Sequence, residues 1–232
     1  MRWSLGLAPL VALLGCASEG LAADSYVVRD SETGFTFSEY QAAYAIGAYI
    51  TYRVAVPTPA DSNYDIVYQV IAPNNVGWAG LAWGASMINN PLTVNWNYQN
   101  TPVVSVRRNS ARTGIHLGIE HGPTPGNSVR QNPQPWTGAT VQILKKGSKT
   151  NGTHWQITAK CSGCSTFTTT GTNTKNLNPN GSNRLAFAYS KTKPSSASPA
   201  GTLGVHDVYG YWDHDFSAAG NANFAQLVTT NA

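Results

Sequence analysis

The sequence predicts an all-β fold, an antiparallel β-sandwich, on three observations. Short runs rich in Val, Ile, Tyr and Trp recur along the chain, turn-forming residues separate them, and no amphipathic helical segment of three or more turns appears. The runs cover residues 49–56, 64–72, 77–83, 92–98, 102–108, 139–145, 154–160 and 184–190. Several alternate apolar and polar residues, as in Thr51-Tyr52-Arg53-Val54-Ala55-Val56, the pattern of a strand with one buried face. The connections are heavy in Gly, Pro, Asn and Ser, notably at 123–135 and 171–183. Residues 215–227 are the one stretch that reads as a short C-terminal helix, with Ser217 as its cap.

The chain has 232 residues, and residues 1–22 read as a signal peptide. Arg2 gives a positive start, residues 5–14 an apolar stretch, and Gly20-Leu21-Ala22 small residues for cleavage. That stretch is too short to span a bilayer, and no later one is longer or freer of polar breaks. The run Leu13-Leu14-Gly15-Cys16 also resembles a lipoprotein cleavage box, in which Cys16 would carry lipid, but Leu14 fits poorly there. The expected product is a secreted, extracellular protein without a membrane anchor, in which residues 23–232 form a single domain large enough for its own core.

The formal net charge is +4. The nearest thing to a basic patch is Arg107, Arg108 and Arg112, with Lys145, Lys146 and Lys149 further on. A nucleic-acid surface would show a denser basic stripe with aromatics interleaved, so nucleic acid is not an expected partner. Two sequons, Asn151-Gly152-Thr153 and Asn180-Gly181-Ser182, fall in predicted loops, which makes Asn151 and Asn180 candidate glycosylation sites.

Two cysteines remain after processing, in Cys161-Ser162-Gly163-Cys164. A local disulfide, half a zinc site and a thioredoxin-like pair all use this spacing. Zinc needs two further ligands and a thioredoxin site needs a βαβ context, which favours the disulfide. Residue 165 is Ser rather than His, so the run is not the Cys-x-x-Cys-His attachment of a c-type haem.

Signatures of nucleophile-elbow hydrolases, zinc proteases, P-loops and dinucleotide folds are absent. Paired carboxylates for glycoside hydrolysis stay open but no pair is marked out, and the residues left to weigh are Met87, the one methionine left after processing, and the histidines. Met87 follows the strand-like Gly80-Leu81-Ala82-Trp83 at a Gly84-Ala85-Ser86 turn. His116 and His121 fall in a loop-rich segment, and His154 beside Trp155 reads as a surface or packing residue. His206 and His214 flank the aromatic run Asp207-Val208-Tyr209-Gly210-Tyr211-Trp212-Asp213. By residue type alone, Met87 reads as a core gap-filler and the aromatic run as core.

Four segments taken in order shift that balance. They are residues 78–90 around Met87, Thr153-His154-Trp155 followed by Cys161 and Cys164, Leu185-Ala186-Phe187-Ala188-Tyr189-Ser190, and residues 206–217 starting at His206. Together they resemble the cytochrome domain of cellobiose dehydrogenases, the DOMON-like iron reductase domains, over most of residues 25–228. The resemblance implies an immunoglobulin-like or DOMON-like β-sandwich with one non-covalent haem b per chain, ligated by Met87 and His206. Tyr209, Tyr211 and Trp212 would line the pocket, and Arg107 and Arg108 are candidates for propionate contacts. His214 falls where the family needs no histidine. The segment 107–123 differs from the relatives.

The relatives carry a flavin domain after the cytochrome, whereas this chain ends at Ala232. The expectation is therefore a monomeric electron carrier that does not itself oxidise a sugar. It would take electrons from a flavin-dependent sugar dehydrogenase or a small-molecule carrier. It would pass them to a lytic polysaccharide monooxygenase, ferric iron or a quinone, in lignocellulose breakdown. The competing reading is a non-redox β-sandwich module that binds carbohydrate or aromatic ligands on exposed Trp and Tyr.

Overall fold

The β-branched and aromatic runs become strands because each has a pleated neighbour on which to bury one face. The computed structural model describes residues 24–109, 132–169 and 171–232. The signal segment, Arg112, His116 and His121 lie outside them. In chain order the first strands are β1 (Tyr26–Arg29), β2 (Thr36–Ala45), β3 (Ala48–Pro57), β4 (Ile66–Pro73), β5 (Trp78–Ala82), β6 (Leu92–Tyr98) and β7 (Thr101–Arg108). There follow β8 (Gln134–Pro135), β9 (Thr140–Ile143), β10 (Lys149–Thr150), β11 (His154–Ser162), β12 (Thr166–Thr168), β13 (Thr174–Asn176), β14 (Ser182–Ser190), β15 (Val208–Asp215) and β16 (Gly220–Asn221). One helix, α1 (Phe224–Asn231), closes the chain.

One sheet runs β1-β2-β3-β4-β11-β10, with β9 also on β11 and β16 beside β3. The other runs β15-β14-β5-β6-β7-β8, and β12 and β13 form a separate hairpin. All pairs are antiparallel except β3 with β16. The predicted all-β sandwich is therefore what the chain forms. The two sheets enclose Trp83, Trp155, Trp212, Tyr52 and Tyr68, all fully buried.

Their polar atoms tie the layers together: the Tyr52 hydroxyl donates to the Gly80 carbonyl at 3.1 Å and the Tyr68 hydroxyl to Asn95 Oδ1 at 3.1 Å. Burial pushes both phenols well above their usual pKa, so they remain donors. At the end of β11, Cys161 and Cys164 are disulfide-bonded, their Cα atoms 5.8 Å apart, with Gly163 taking the positive φ that so short a loop needs.

Three parts differ from the expectation. β1 and β2 lie outside the predicted runs: β1 is only four residues long, and β2 carries the helix formers Glu39, Gln41, Ala42 and Ala43, whose propensity the ladder from Ser38↔Val54 to Ala45↔Ala48 overrides. The aromatic run 207–213 is itself an edge strand, β15, rather than a segment beneath the last strands. The helix predicted over 215–227 is a 3-10 turn at Ser217–Ala219, then β16, then α1. The Ser217 hydroxyl donates to Asp215 Oδ1 instead of capping a helix. Asn221 ends the turn by accepting from the Thr36 N–H at 2.9 Å and donating to its carbonyl at 2.8 Å, and Phe224 then packs edge-on against Phe35.

His214 is fully buried between the sheets. Its Nδ1 accepts from the Trp212 indole N–H at 2.8 Å, which leaves the proton on Nε2, 3.1 Å from the Ser38 carbonyl. Burial pushes its pKa down to about 4. In the unfolded chain the imidazole takes a proton near its ordinary value, so the folded state is fully favoured above about pH 6.5 and loses ground as pH falls toward 4. The loss amounts to about 3 kcal/mol. Thermal melts between pH 7 and 4.5 should show a fall in stability that is smaller in His214→Gln, which cannot titrate.

Candidate functional site

Strand alternation gives the second sheet two unlike faces. The inward face of β5, β14 and β15 carries Leu81, Leu185, Phe187 and Trp212, all in the core. The outward face carries Gly80 and Ala82 on β5, Ala186 and Ala188 on β14, and Tyr209 and Tyr211 on β15, brought side by side by the register Ala82↔Ala186↔Tyr211 and Gly80↔Ala188↔Tyr209. The result is a strip of small residues bordered by two tyrosines, 60% and 50% exposed.

The Met87 loop leaves β5 at the Ala82 end of this strip. His206 lies at the other end, one residue before Asp207, whose N–H donates to the Tyr189 carbonyl at 2.8 Å beside Ala79. Ala79 and Ala82 are three residues apart, roughly 10 Å along a strand. Met87 is 42% exposed, and Val205 beside His206 is 64% exposed. The His206 ring lies 5.2 Å from that of Tyr209, which meets Tyr211 edge-on at 6.0 Å. An imidazole and three large apolar side chains thus stand on the outward side of one sheet instead of in the core, and the exposed Met87 sits in the loop beyond its Ala82 end.

Both loops are built rather than loose. Around Met87, Ala85 and Asn89 adopt φ of 63° and 58°, a conformation that costs an Ala or Asn side chain energy and here shapes the turn. The Ser86 hydroxyl accepts from the Ile88 N–H at 3.1 Å, the Asn89 N–H donates to the Asn109 carbonyl, and Lys175 Nζ donates to the Gly84 carbonyl at 3.3 Å. On the other side, residues 191–207 cross the outward face of β6 and β7 as a strap. Leu203 is buried against Trp78, Trp96, Val94 and Val103. The Trp96 indole N–H donates to the Ser196 carbonyl at 3.1 Å. Asp207 closes the base by accepting from the Lys191 N–H at 2.7 Å and the Ser190 hydroxyl at 3.0 Å, and the Lys191 N–H above all holds its carboxyl below the usual pKa.

Of the residues singled out in sequence, His206, Tyr209 and Tyr211 come to this face, and Met87 lies in the loop that leaves β5 at its end. Trp212 goes to the opposite one, since its neighbours in a period-two strand face outward; it stacks on Tyr40 at 4.6 Å inside the sandwich. Arg107 and Arg108 are engaged by backbone carbonyls. Arg107 is buried and donates to those of Pro133, Pro199 and Gly201, and Arg108 donates to that of Thr168 at 2.6 Å. Asn151 and Asn180 are exposed in turns. The strip itself was not singled out, although small residues at alternate positions of two predicted strands, Gly80 and Ala82, then Ala186 and Ala188, are its signal. Among the described residues no three His, Cys, Asp or Glu side chains gather as a metal-ion site, and no helix is long and apolar enough to cross a membrane.

Fold and site define a β-sandwich with a strip of small residues on the outside of one sheet, an exposed methionine in the loop at one end and a histidine at the other. The family model for the cytochrome domain of cellobiose dehydrogenase matches residues 28–226, and the chain belongs to that family. A pyrroloquinoline quinone-dependent pyranose dehydrogenase of Coprinopsis cinerea is 32% identical over 174 residues, 69% of this chain and 22% of that protein. The chain thus spans about a fifth of the length of the curated relatives it matches. Among solved structures, the cytochrome b domain of the Coprinopsis cinerea pyranose dehydrogenase superposes with a TM-score of 0.69 at 24% identity, covering 90% of this chain and 96% of that one. The cytochrome domain of Myriococcum thermophilum cellobiose dehydrogenase superposes with a TM-score of 0.73 at 18% identity, covering 91% and 98%. At these identities the superpositions speak to the fold.

Gly77, at the entry to β5, donates its N–H to the Ser190 carbonyl at 2.8 Å beside the start of the strap. A Cβ there would sit 2.4 Å from the Thr192 carbonyl carbon, which is backbone and has no rotamer to change. Gly77→Ala should therefore cost about 1–3 kcal/mol in urea unfolding, by forcing β5 and the strap apart.

Proposed function

We propose that this chain is a secreted one-electron carrier that holds one haem b, without covalent attachment, on the outward face of its second sheet, with Met87 and His206 as axial ligands. The observation that carries this is a strip of small residues with the exposed Met87 in the loop at one end and the half-buried His206 at the other, on a chain of the cytochrome family. The residues suit the group. Met and His are a known haem ligand pair, and Gly80, Ala82, Ala186 and Ala188 leave the sheet open to close approach by a flat ring. Val205, Tyr209 and Tyr211 give it apolar walls in place of water. Haem bound there supplies a one-electron ferric/ferrous couple.

The chain's side chains set the character of that couple. The Met87 thioether is a soft donor that favours ferrous iron, so the pair raises the reduction potential relative to two imidazoles. With Met87 and His206 both holding the iron, no position would be left for oxygen or substrate, and the chemistry supplied would be electron transfer alone. Arg107 has no place in propionate binding in this reading, since its guanidinium is committed to backbone carbonyls. Trp212 acts behind the sheet, as core.

Electrons would come from a flavin-dependent sugar dehydrogenase or a small-molecule carrier and go to a lytic polysaccharide monooxygenase, ferric iron or a quinone. Residues 1–22 would be removed on export, leaving 23–232 as a monomeric domain with Asn151 and Asn180 open to glycans.

The purified protein should be coloured, with a Soret band that sharpens on reduction and the visible bands of low-spin haem. Met87→Ala and His206→Ala should each lose the low-spin spectrum, while a folded His214 variant keeps it. A colourless protein that takes up no haem on reconstitution would overturn the proposal, and glycan binding by such a protein would favour the carbohydrate module.

A further inference from the structure

Consecutive residues of a strand point to opposite faces, so Arg107 and Arg108 at the end of β7 must part company. Arg107 follows Val103 and Ser105 onto the outward face, under the strap. Its Nε donates to Ser105 Oγ at 2.8 Å and its Nη1 to the Pro133 carbonyl at 3.1 Å. Its Nη2 donates to the carbonyls of Pro199, at 3.0 Å, and Gly201. The same Ser105 hydroxyl donates to the Pro199 carbonyl. Burial makes each of these bonds costly to lose.

Arg108 turns to the other side, over the Trp136 ring at 5.1 Å, and donates to the carbonyls of Thr168 at 2.6 Å and Thr169 at 3.3 Å. Those two carbonyls belong to the β12–β13 hairpin and its turn. That hairpin supports the Met87 loop through the Lys175 bond to the Gly84 carbonyl and through Phe167, whose ring tip would lie 3.1 Å from a Cβ on Gly84.

We infer that Arg107 and Arg108 are paired positioning residues, Arg107 fixing the strap that delivers His206 and Arg108 fixing the hairpin that supports the Met87 loop. The inference rests on the reading of Met87 and His206 as ligands. A planar fork suits this task, because its donors are fixed in one plane and spread over three nitrogens, whereas an ammonium's three donors rotate about a single atom.

The test uses the full chain, with and without haem, as Arg107→Gln, Arg107→Lys, Arg108→Gln and Arg108→Lys, each first checked for folding by thermal melt. Without haem, amide exchange should accelerate across residues 195–206 in Arg107→Gln and across 166–176 and 84–90 in Arg108→Gln, each leaving the other region unchanged. With haem, Arg107→Gln should bind it roughly 10-fold more weakly, take up carbon monoxide in the ferrous state, and regain a low-spin spectrum on adding imidazole. Arg108→Gln should lower the midpoint potential as thioether ligation weakens. The Lys variants should fall between, and they decide the matter if a Gln variant does not fold.

Folded variants with wild-type exchange, spectrum and potential would overturn the inference. So would acceleration spread evenly over both regions. If the exchange pattern holds but the wild type shows no low-spin haem, the bracing stands as a property of the two loops and the ligand assignment is what fails.

Discussion

The hydrogen bond from His214 Nε2 to the Ser38 carbonyl, with the Trp212 indole holding Nδ1, ties the edge strand β15 to the opposite sheet. β15 pairs with one neighbour only, β14, and on its open side it has Asp24 and Ser25 bonded to the Asp213 carbonyl and N–H and to the Asp215 N–H. What anchors it is inward: Trp212 stacked on Tyr40, its N–H on His214, and His214 in turn bonded to the Ser38 carbonyl of the opposite sheet. Because that chain buries donors and acceptors with every member satisfied, a slip of β15 by one residue would strand them and invert each side chain on the strand. The outward position of Tyr209 and Tyr211 is the other half of the same choice.

A site assembled from two loops needs those loops held to within a fraction of an ångström if its ligands are to meet one atom. The structure meets that need with main-chain bonds. The strap is held by Trp96, Ser105, Arg107 and Asp207, and the Met87 loop by Ser86, Lys175 and its junction with Asn109. Gripping carbonyls rather than side chains means that the strap sequence, rich in Ser, Pro and Ala, carries little of its own conformational preference. The residues that specify its course lie on β6 and β7.

That division explains what was legible in the sequence. The strands that carry Val, Ile and Trp at alternate positions were readable because burial imposes a period of two. β2 was not, because Glu39 holds its place through partners distant in sequence: it is buried in an ion pair with Arg53 and also accepts from the Tyr26 hydroxyl. The outward position of Tyr209 and Tyr211 follows from alternation, and the same rule places Trp212 on the other face, a division that the undivided aromatic run conceals. Arg107 and Arg108 were visible as charges, but carbonyl acceptors at 133, 168, 199 and 201 leave no mark in sequence. The disulfide was readable because its ring is local.

The choice of the outside of the second sheet for the proposed site follows from what fills the alternatives. Between the sheets, the indoles of Trp83, Trp155 and Trp212 and the phenols of Tyr52 and Tyr68 pack at interior density, and inserting a further large ring would force strand separation. On the outside of the first sheet, Glu39, Arg53, Gln69 and Thr158 form a hydrogen-bonded row across β2, β3, β4 and β11, and an apolar ring laid there would strip partners from ionised groups. The outside of the second sheet is itself divided, since the strap occupies β6 and β7. What remains is β5, β14 and the edge strand β15, where Gly80, Ala82, Ala186 and Ala188 replace the larger residues found elsewhere on the sheets. Small residues on an outward face bury little area for their own sheet, so they cost stability that larger apolar neighbours would have supplied. A group that covers that strip would restore the missing burial, so cofactor binding and folding stability should be coupled in this chain.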